Sequence, residues 1–365
     1  MPVPCPKTHY DVVHSLRPEF VAEIRRKTET CGERDTAIAG DEFDHPHIEA
    51  TIVKAITRFA GEMLSQQGYD ALRMSQKEIV SAIPPDVVDQ LGKTLSMEYM
   101  HLLSFELFGR KTFHVRPNLV NRLADTEMNV ESATLMLPFP SCMFVYDCQT
   151  AREALYAVAE GSTPPTNGPV SVYVNTYRVA GGERHLEVCA VHSSGKQVGA
   201  LIKREIPLEE GQMLEESLRV DWTNRGQHQP AAEADDSVFY GPGMRLMRIV
   251  VNTALYLSSS DPDIRSGLRG QPDDEPLPPH LARKREKQLR HVTELEYVVV
   301  GHSVGEYDPG SGESGRQLDH RVKVRGHWKP QAYGKGRTLR KTIYIDPYWK
   351  GPDMAEIVSK PYVVR

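Results

Sequence analysis

The first third of the chain has hydrophobic residues at intervals of three to four positions, which is the period of an amphipathic helix. The pattern begins after Pro18, where proline suits the first helical turn. It returns beyond the Pro84-Pro85 pair and stops at Gly109. We therefore predict a mainly helical region, with helices over 20–27, 47–67, 85–107 and 117–130.

In the middle of the chain the hydrophobic pattern becomes that of β-strands. Apolar runs at Thr134–Leu137 and Cys142–Tyr146 predict two strands, and three more are predicted at Val170–Val179, His185–His192 and Gln197–Ile206. Short turns that contain glycine separate the last three. Because such turns are too short for a parallel crossover, these strands are predicted to form an antiparallel meander.

A nearly continuous apolar run at Met244–Ser258 predicts a helix that is buried in the core. Another helix is predicted before it, at Glu209–Thr223. A stretch rich in Pro, Gly and Asp at 260–280 follows and has the composition of a linker or a long surface loop. One further strand is expected at Leu295–Val300.

Together these patterns predict an α+β fold with N-terminal helices, a central antiparallel sheet with a buried helix, and a basic, β-hairpin-like C-terminal segment. The expected divisions of the chain are a mainly helical region at 1–132 and an α+β core at 133–259. A linker with loops and one strand at 260–316 leads to a basic aromatic segment at 317–365.

The C-terminal segment alternates charged and apolar residues. Arg321, Lys323 and Arg325 alternate with two valines, which predicts a strand with one face in water. Residues 333–336 contain two glycines and predict a turn, because glycine tolerates positive φ. A second strand is expected at 342–345, so the segment is predicted to fold back on itself as a hairpin.

Charge sets this segment apart. Residues 321–350 contain nine Lys or Arg and one acid, in a chain whose formal net charge is −5. Because cations neutralise phosphates and flat rings stack on bases, this mixture predicts contact with RNA or single-stranded DNA. The alternative is a structured basic hairpin whose aromatic residues only pack, and the sequence leaves both open. The candidate nucleic-acid-binding residues are Arg321, Lys323, Arg325, His327, Trp328, Lys329, Tyr333, Lys335, Arg337, Arg340, Lys341, Tyr344, Trp349 and Lys350.

The composition, with 39% hydrophobic and 25% charged residues, is that of an ordinary soluble globular protein. No apolar run approaches the roughly 18–20 residues of a membrane span, and the first residues contain no apolar signal core. Five scattered cysteines do not make a disulfide framework or a zinc ribbon. We therefore expect a cytoplasmic protein with reduced cysteines and no membrane partner.

No sequence motif points to catalysis. The chain contains no HExxH, GxSxG, GxGxxG or Walker pattern. Cys142 and Cys148 could be nucleophiles, but their apolar strand context favours buried packing. We expect no cofactor and no metal site, and a protein without enzymatic activity is favoured, although missing motifs do not decide this.

The motif Arg325-Gly326-His327-Trp328, followed by a glycine-containing turn and a basic strand from Lys341, resembles one known family. It is similar to the phage and plasmid anti-CRISPR proteins that act on the type V-A single-effector nuclease by blocking its production. Two weaker similarities occur upstream in the same order, at 137–147 and at Asp261-Pro262-Asp263-Ile264.

This resemblance implies a function. The family is understood to recognise the nascent N-terminal peptide of the nuclease during translation and to cause loss of its mRNA. For this chain it implies that the basic segment contacts mRNA or ribosomal RNA and that a groove in the α+β body holds the peptide. A general RNA- or DNA-binding protein of a phage or plasmid, without a CRISPR role, is the alternative, and a ribonuclease is a third hypothesis.

Overall fold

The structure is a computed structural model of the chain. It describes residues 8–30, 53–58, 60–61, 64–65, 70, 73–157, 164–178, 182–194, 197–218, 242–268, 296–305 and 322–350. Its main sheet contains seven strands: β1 (Thr112–Val115), β2 (Ser141–Tyr146), β3 (Val170–Arg178), β4 (Arg184–Ser194), β5 (Gln197–Leu208), β6 (Ile264–Leu268) and β7 (Glu296–Val300).

The order of strands across this sheet is β5-β4-β3-β2-β1-β7-β6. Neighbouring strands from β2 to β5 are antiparallel, which confirms the predicted meander. Strand β1 pairs in parallel with both β2 and β7, so the sheet is mixed. The sequence pattern did not show β1, because a strand of only four residues carries too little periodicity.

The longer described helices are α1 (His9–Leu16), α2 (Pro18–Thr30), α3 (Gln76–Ser81), α4 (Pro85–Leu107), α5 (Pro117–Ala124), α6 (Gln149–Tyr156) and α7 (Pro242–Ser258). Thr8 and Ser75 each close a capping box at the start of a helix, where side-chain oxygens satisfy free backbone N–H groups. Gly109 follows α4 with a φ of 76°, which confirms the predicted end of that helix. None of the helices in the described part of the chain is long and apolar enough to cross a membrane.

The sheet lies between two layers of helices, and β2 shows how one strand serves both. Cys142, Phe144 and Tyr146 point to the face that is covered by α5, α6 and α7. Met143 and Val145 point to the opposite face, which α1, α2 and α4 cover. Because successive side chains of a strand alternate between faces, a wholly apolar strand supplies both cores. The predicted buried helix is α7, in the first of these layers.

Buried polar side chains also join α4 to the second face of the sheet. The Nδ1 atom of His101 lies 3.0 Å from the side-chain nitrogen of Asn175 and 3.2 Å from a carboxylate oxygen of Glu187. The Lys203 ammonium lies 2.5 Å from the other oxygen of Glu187. Burial lowers the pKa of His101 to about 4, although the nearby Glu187 carboxylate opposes this shift. The imidazole is therefore neutral at pH 7.

Several predictions differ from the structure. The strand expected at Thr134–Leu137 is wrong, because the Thr134 and Leu135 N–H groups donate to carbonyls three residues earlier, as in a 3-10 turn. The helix expected over 117–130 ends at Ala124. At this end of α5 the Leu123 and Thr126 carbonyls accept hydrogen bonds from the Asn252 side chain of α7, a contact that local periodicity cannot show. Of the helix expected at 209–223, residues 214–218 are helical and the remainder from 219 lies outside the described residues. Most of the helix predicted at 47–67 also lies outside them.

The chain between 260 and 316 contains two described strands, β6 and β7, where the sequence predicted one. Strand β6 is short and follows a turn rich in Pro and Asp, so its local composition predicted a loop. The eight-residue helix α6 also lacked a clear periodic signal. The division of the chain into four regions stays a prediction.

The C-terminal segment folds into β8 (Val322–Val324), β9 (His327–Tyr333), β10 (Leu339–Ile345) and β11 (Tyr348–Lys350). Both β8 with β11 and β9 with β10 pair in antiparallel fashion. Val324 lies opposite Tyr348 and, three residues further along each strand, His327 lies opposite Ile345. The two ladders thus share one register and form a single long hairpin, interrupted next to Pro347, which has no N–H to donate. This confirms the predicted hairpin-like segment.

Candidate nucleic-acid interface

The base of the hairpin is fixed to the protein body by Trp328. Its side chain is only 2% exposed, and its indole nitrogen donates a hydrogen bond of 2.9 Å to the Asn252 side-chain oxygen in α7. The Asn252 amide nitrogen donates to the carbonyls of Leu123 and Thr126, at 3.0 and 3.1 Å. One asparagine thus satisfies polar groups of the hairpin and of the end of α5 at once, inside the core.

Tyr344 supports this contact from the neighbouring strand. It lies directly opposite Trp328 in the ladder, with ring centroids 5.0 Å apart. Its hydroxyl lies 3.1 Å from the hydroxyl of Thr126, and its ring meets that of Tyr256 edge to face at 5.7 Å. Burial raises the pKa of Tyr344, so the phenol stays protonated near neutral pH and keeps its hydrogen bond.

Gly326 allows the hairpin to approach this closely. A Cβ atom at this position would lie 2.6 Å from Thr126 Oγ1 and 2.9 Å from the Tyr344 hydroxyl, distances that real Cβ atoms essentially never show. The Gly326 carbonyl accepts a hydrogen bond of 2.9 Å from the backbone N–H of Glu127. An ion pair of 2.8 Å between Arg122 in α5 and Asp346, which follows β10, adds a further contact between the body and the hairpin.

The position of Trp328 corrects one part of the sequence prediction. Because its ring is buried against α7, it cannot present a face to a nucleotide base, and the packing interpretation holds for this residue. Tyr344 is half-buried and its hydroxyl is engaged, so it also belongs to the base of the hairpin. In the sequence both rings look like the exposed aromatics of a basic segment, since their partners are far away in the chain.

The outer half of the hairpin has the opposite character. It exposes five cations, and no carboxylate of the described residues lies within ion-pair distance of them. They are Lys329, Lys335, Arg337, Arg340 and Lys341. Exposed cations of this kind can neutralise phosphates. These five predicted residues are therefore brought together on one exposed element.

The register of the ladder separates two faces of this outer half. Lys329, Tyr333, Leu339 and Lys341 share the face away from Trp328, because side chains alternate along each strand. Tyr333 and Leu339 lie directly opposite each other and are 44% and 53% exposed. Sequence reasoning missed Leu339, whose only signal was a leucine within a run of charged residues. The Lys341 ammonium lies 5.9 Å from the centroid of the Tyr333 ring.

The remaining candidates fall into two groups. Arg325 is exposed, and its carbonyl accepts a hydrogen bond of 3.2 Å from Nδ1 of the half-buried His327. A carbonyl can only accept, so Nδ1 of His327 carries the proton. Arg321 lies outside the described residues, as do the side chains of Lys323, Trp349 and Lys350.

The structure also bears on other chemistry. Among the residues described, no group of three or more His, Cys, Asp or Glu side chains is placed to hold a metal ion. Cys142, Cys148 and Cys189 are free and buried, and burial raises the pKa of each thiol. This confirms the expected packing role of Cys142 and Cys148, because a protonated, buried thiol is a poor nucleophile.

Comparison with known protein families shows which family the chain belongs to. The model of the AcrVA2-like family, described as anti-CRISPR type V subtype A2, matches residues 113–352. The match runs from β1 to just beyond β11 and covers more than half of the chain. The chain belongs to the anti-CRISPR type V subtype A2 family. No curated protein and no solved structure shows a significant match to it.

The residues that carry the resemblance to the AcrVA2-like family lie in the scaffold. Gly326 and Trp328 attach the hairpin to the body. The Asp263 carboxylate accepts hydrogen bonds of 2.6 and 2.7 Å from the backbone N–H and the hydroxyl of Ser303, beside the end of β7. The AcrVA2-like landmarks therefore specify how the sheet and the hairpin are held together, and membership assigns the protein an anti-CRISPR role against type V-A systems.

Proposed function

We propose that the protein lowers the production of a type V-A CRISPR nuclease and that its hairpin contacts mRNA or ribosomal RNA in doing so. Family membership supports the nuclease as the target. The proposal includes recognition of the nascent N-terminal peptide of the nuclease by the α+β body. Loss of the nuclease mRNA would then follow from host ribonucleases, since no catalytic motif was found in the chain.

The observation that best supports the RNA contact is the set of exposed cations on the outer half of the hairpin. Residues 321–350 carry a formal charge of +8 in a chain of net −5, so the rest of the chain carries −13. A polyanion is therefore attracted to the hairpin and repelled by the body. This asymmetry favours binding through one protruding element in a defined orientation.

The salt dependence of the RNA-binding constant measures this contact. Each phosphate neutralised on a single strand contributes about −0.7 to the slope of log K against log salt. A hairpin that engages roughly four to six phosphates should give a slope of about −3 to −4. A slope near zero would show that its cations are solvated and do not bind phosphate.

The direct test is co-expression with a type V-A nuclease, with the nuclease transcript and protein both measured. We expect both to fall with the wild-type chain and to recover with the double variant Lys335→Ser/Arg337→Ser, which removes two cations from the turn. The matched control is Lys77→Ser/Lys93→Ser, which removes two exposed cations from α3 and α4. It should lower the nuclease as strongly as the wild type does.

Two results would redirect the proposal. Unchanged levels of several type V-A nucleases, together with RNA binding by the purified chain, would favour the general nucleic-acid-binding protein. Recovery of the nuclease with the control variant as well as with the hairpin variant would mean that overall charge matters and the hairpin does not.

A further inference from the structure

We infer that the tip of the hairpin binds an unpaired RNA nucleotide by stacking its base on the Tyr333 ring, with Leu339 packed beside it. This inference rests on the proposed RNA contact and specifies the form of RNA and the residue that selects it. It also moves the stacking role away from Trp328, a candidate in the sequence whose ring the structure buries.

The first step is the exposed apolar pair at the tip. Tyr333 and Leu339 are the last pair of the β9–β10 ladder and lie on one face. Both are among the most exposed large hydrophobic side chains of the described residues, at 44% and 53%. A Cβ placed on Gly334 would lie 3.2 Å from Leu339 Cδ1, so the leucine lies against the turn. The tip of the cationic hairpin therefore exposes a flat apolar surface.

The second step is the shape of the turn. Gly334 and Gly336 have positive φ values of 79° and 73°, and Arg337, which is not glycine, has a φ of 55°. The Arg337 N–H donates to the Gly334 carbonyl at 3.1 Å, and the Arg340 guanidinium donates to the Arg337 carbonyl at 3.0 Å. These bonds hold a compact turn with cations on both sides of the apolar pair. Because the turn is already ordered, RNA binding should cost less conformational entropy here than at a flexible basic tail.

The third step is the choice between paired and unpaired RNA. In an A-form duplex each base is covered by its stacked neighbours, and the deep, narrow major groove excludes side chains. A single tyrosine can therefore stack only on a base that is already unpaired. The Lys341 ammonium, 5.9 Å from the Tyr333 centroid, is placed to meet the phosphate of the same nucleotide. Among the described residues no other aromatic ring stacks on Tyr333, and its side chain is 44% exposed.

Fluorescence anisotropy with the full chain tests this inference, using a labelled unstructured RNA of about twelve nucleotides and its fully paired duplex as probes. We expect tighter binding to the single strand. Tyr333→Ala should weaken single-strand binding by about 5- to 150-fold, the range for loss of one stacked base. It should leave duplex binding and the salt slope unchanged. Tyr333→Phe, which keeps the ring, should retain most of the affinity.

Phe139→Ala is the matched control. Phe139 is also an exposed aromatic residue, at 37%, with the Lys111 ammonium 5.2 Å from its ring centroid, but it lies in the loop before β2. Its loss should not change RNA binding. Equal effects of Phe139→Ala and Tyr333→Ala, or equal affinity of the wild type for single strand and duplex, would overturn the inference. Binding to neither RNA would also overturn it and would favour an acidic protein surface as the partner.

Failure of the inference can be told apart from failure of the proposed function. If the wild-type chain lowers nuclease levels in cells but Tyr333→Ala binds RNA like the wild type, the proposed function is supported and the stacking role is rejected. If Tyr333→Ala loses single-strand binding but the wild-type chain leaves nuclease levels unchanged, the stacking role is supported and the nuclease is rejected as the target.

Discussion

Trp328 and Asn252 form a buried hydrogen bond of 2.9 Å that joins the exposed hairpin to the buried helix α7. The same asparagine satisfies two backbone carbonyls at the end of α5. Since buried polar groups are costly when unpaired, this side chain helps to fix the position of the hairpin on the body. The orientation of the cationic tip therefore depends in part on a residue in the core.

Replacing Asn252 by Leu should lower the free energy of unfolding by about 1–3 kcal/mol, because it leaves the indole N–H and the Thr126 carbonyl without these partners. The Leu123 carbonyl keeps the hydrogen bond from the Thr126 N–H. Trp328→Phe keeps a ring and removes the donor. Combined in a double-mutant cycle, the two changes should cost less than their sum, by about 1 kcal/mol. Urea unfolding of the four proteins measures this coupling. Strict additivity would show that the hydrogen bond contributes nothing to stability.

Gly326→Ala should destabilise the protein by about 1–3 kcal/mol, because the new methyl group is forced against the hydroxyls of Thr126 and Tyr344. Thermal melting measures the loss. Gly305→Ala is the control, since a Cβ there meets nothing within 4 Å. The pair Thr126→Ala/Tyr344→Phe removes both hydroxyls, which bond to each other, and should restore much of the stability lost in Gly326→Ala. Full stability of Gly326→Ala alone would contradict the close approach of the hairpin.

The thiols give a third prediction. Cys142, Cys148 and Cys189 should resist iodoacetamide in the native protein at pH 8, because burial both shields them and raises their pKa. All three should be alkylated once the protein is unfolded in urea. Peptide mass spectrometry assigns the label to each cysteine. Rapid labelling of Cys142 in the folded protein would be incompatible with its place in the central strand.

The fourth prediction concerns acid. His101 has a pKa of about 4 in the folded protein and about 6.5 when unfolded, so the unfolded state binds more protons between these values. Stability should therefore fall as the pH drops from about 6.5 to 4, with His101 contributing on the order of 3 kcal/mol. Urea unfolding at pH 7, 6, 5 and 4.5 measures this dependence.

His101→Gln isolates the contribution of this one group. Glutamine keeps an acceptor near Asn175 but has no proton to gain, so the variant should lose less stability than the wild type over the same pH range. Parallel pH profiles of the two proteins would show that other groups, such as the Glu98 carboxylate, account for acid unfolding.

The sequence predicted those elements whose signal is local and long. Helices α4 and α7 and the meander of β3 to β5 have periods that extend over many residues, and the C-terminal hairpin has its turn marked by glycines. Strand β1 and helix α6 were missed because four to eight residues carry too little periodicity. Fold class could thus be predicted, whereas the mixed pairing of the sheet could not.

The candidate interface was predicted by composition but not residue by residue. Nothing within the hairpin distinguishes the buried Trp328 from an exposed ring, because its partner Asn252 lies 76 residues away in the sequence. Likewise, the close approach at Gly326 depends on Thr126. The exposed pair Tyr333 and Leu339 became visible only when the register placed them opposite each other at the tip.

The place of β1 in the sheet has a consequence for how the chain is made. Phe113 pairs with Phe144 on one side and with Val298 on the other. The ladder between β1 and β7 can therefore form only after nearly all of the sheet has left the ribosome. Contacts so distant in sequence form slowly, and an unpaired strand edge can recruit other chains in the meantime. Translation that stops before residue 296 therefore releases a sheet with an open apolar edge, prone to aggregation, and not a smaller working protein.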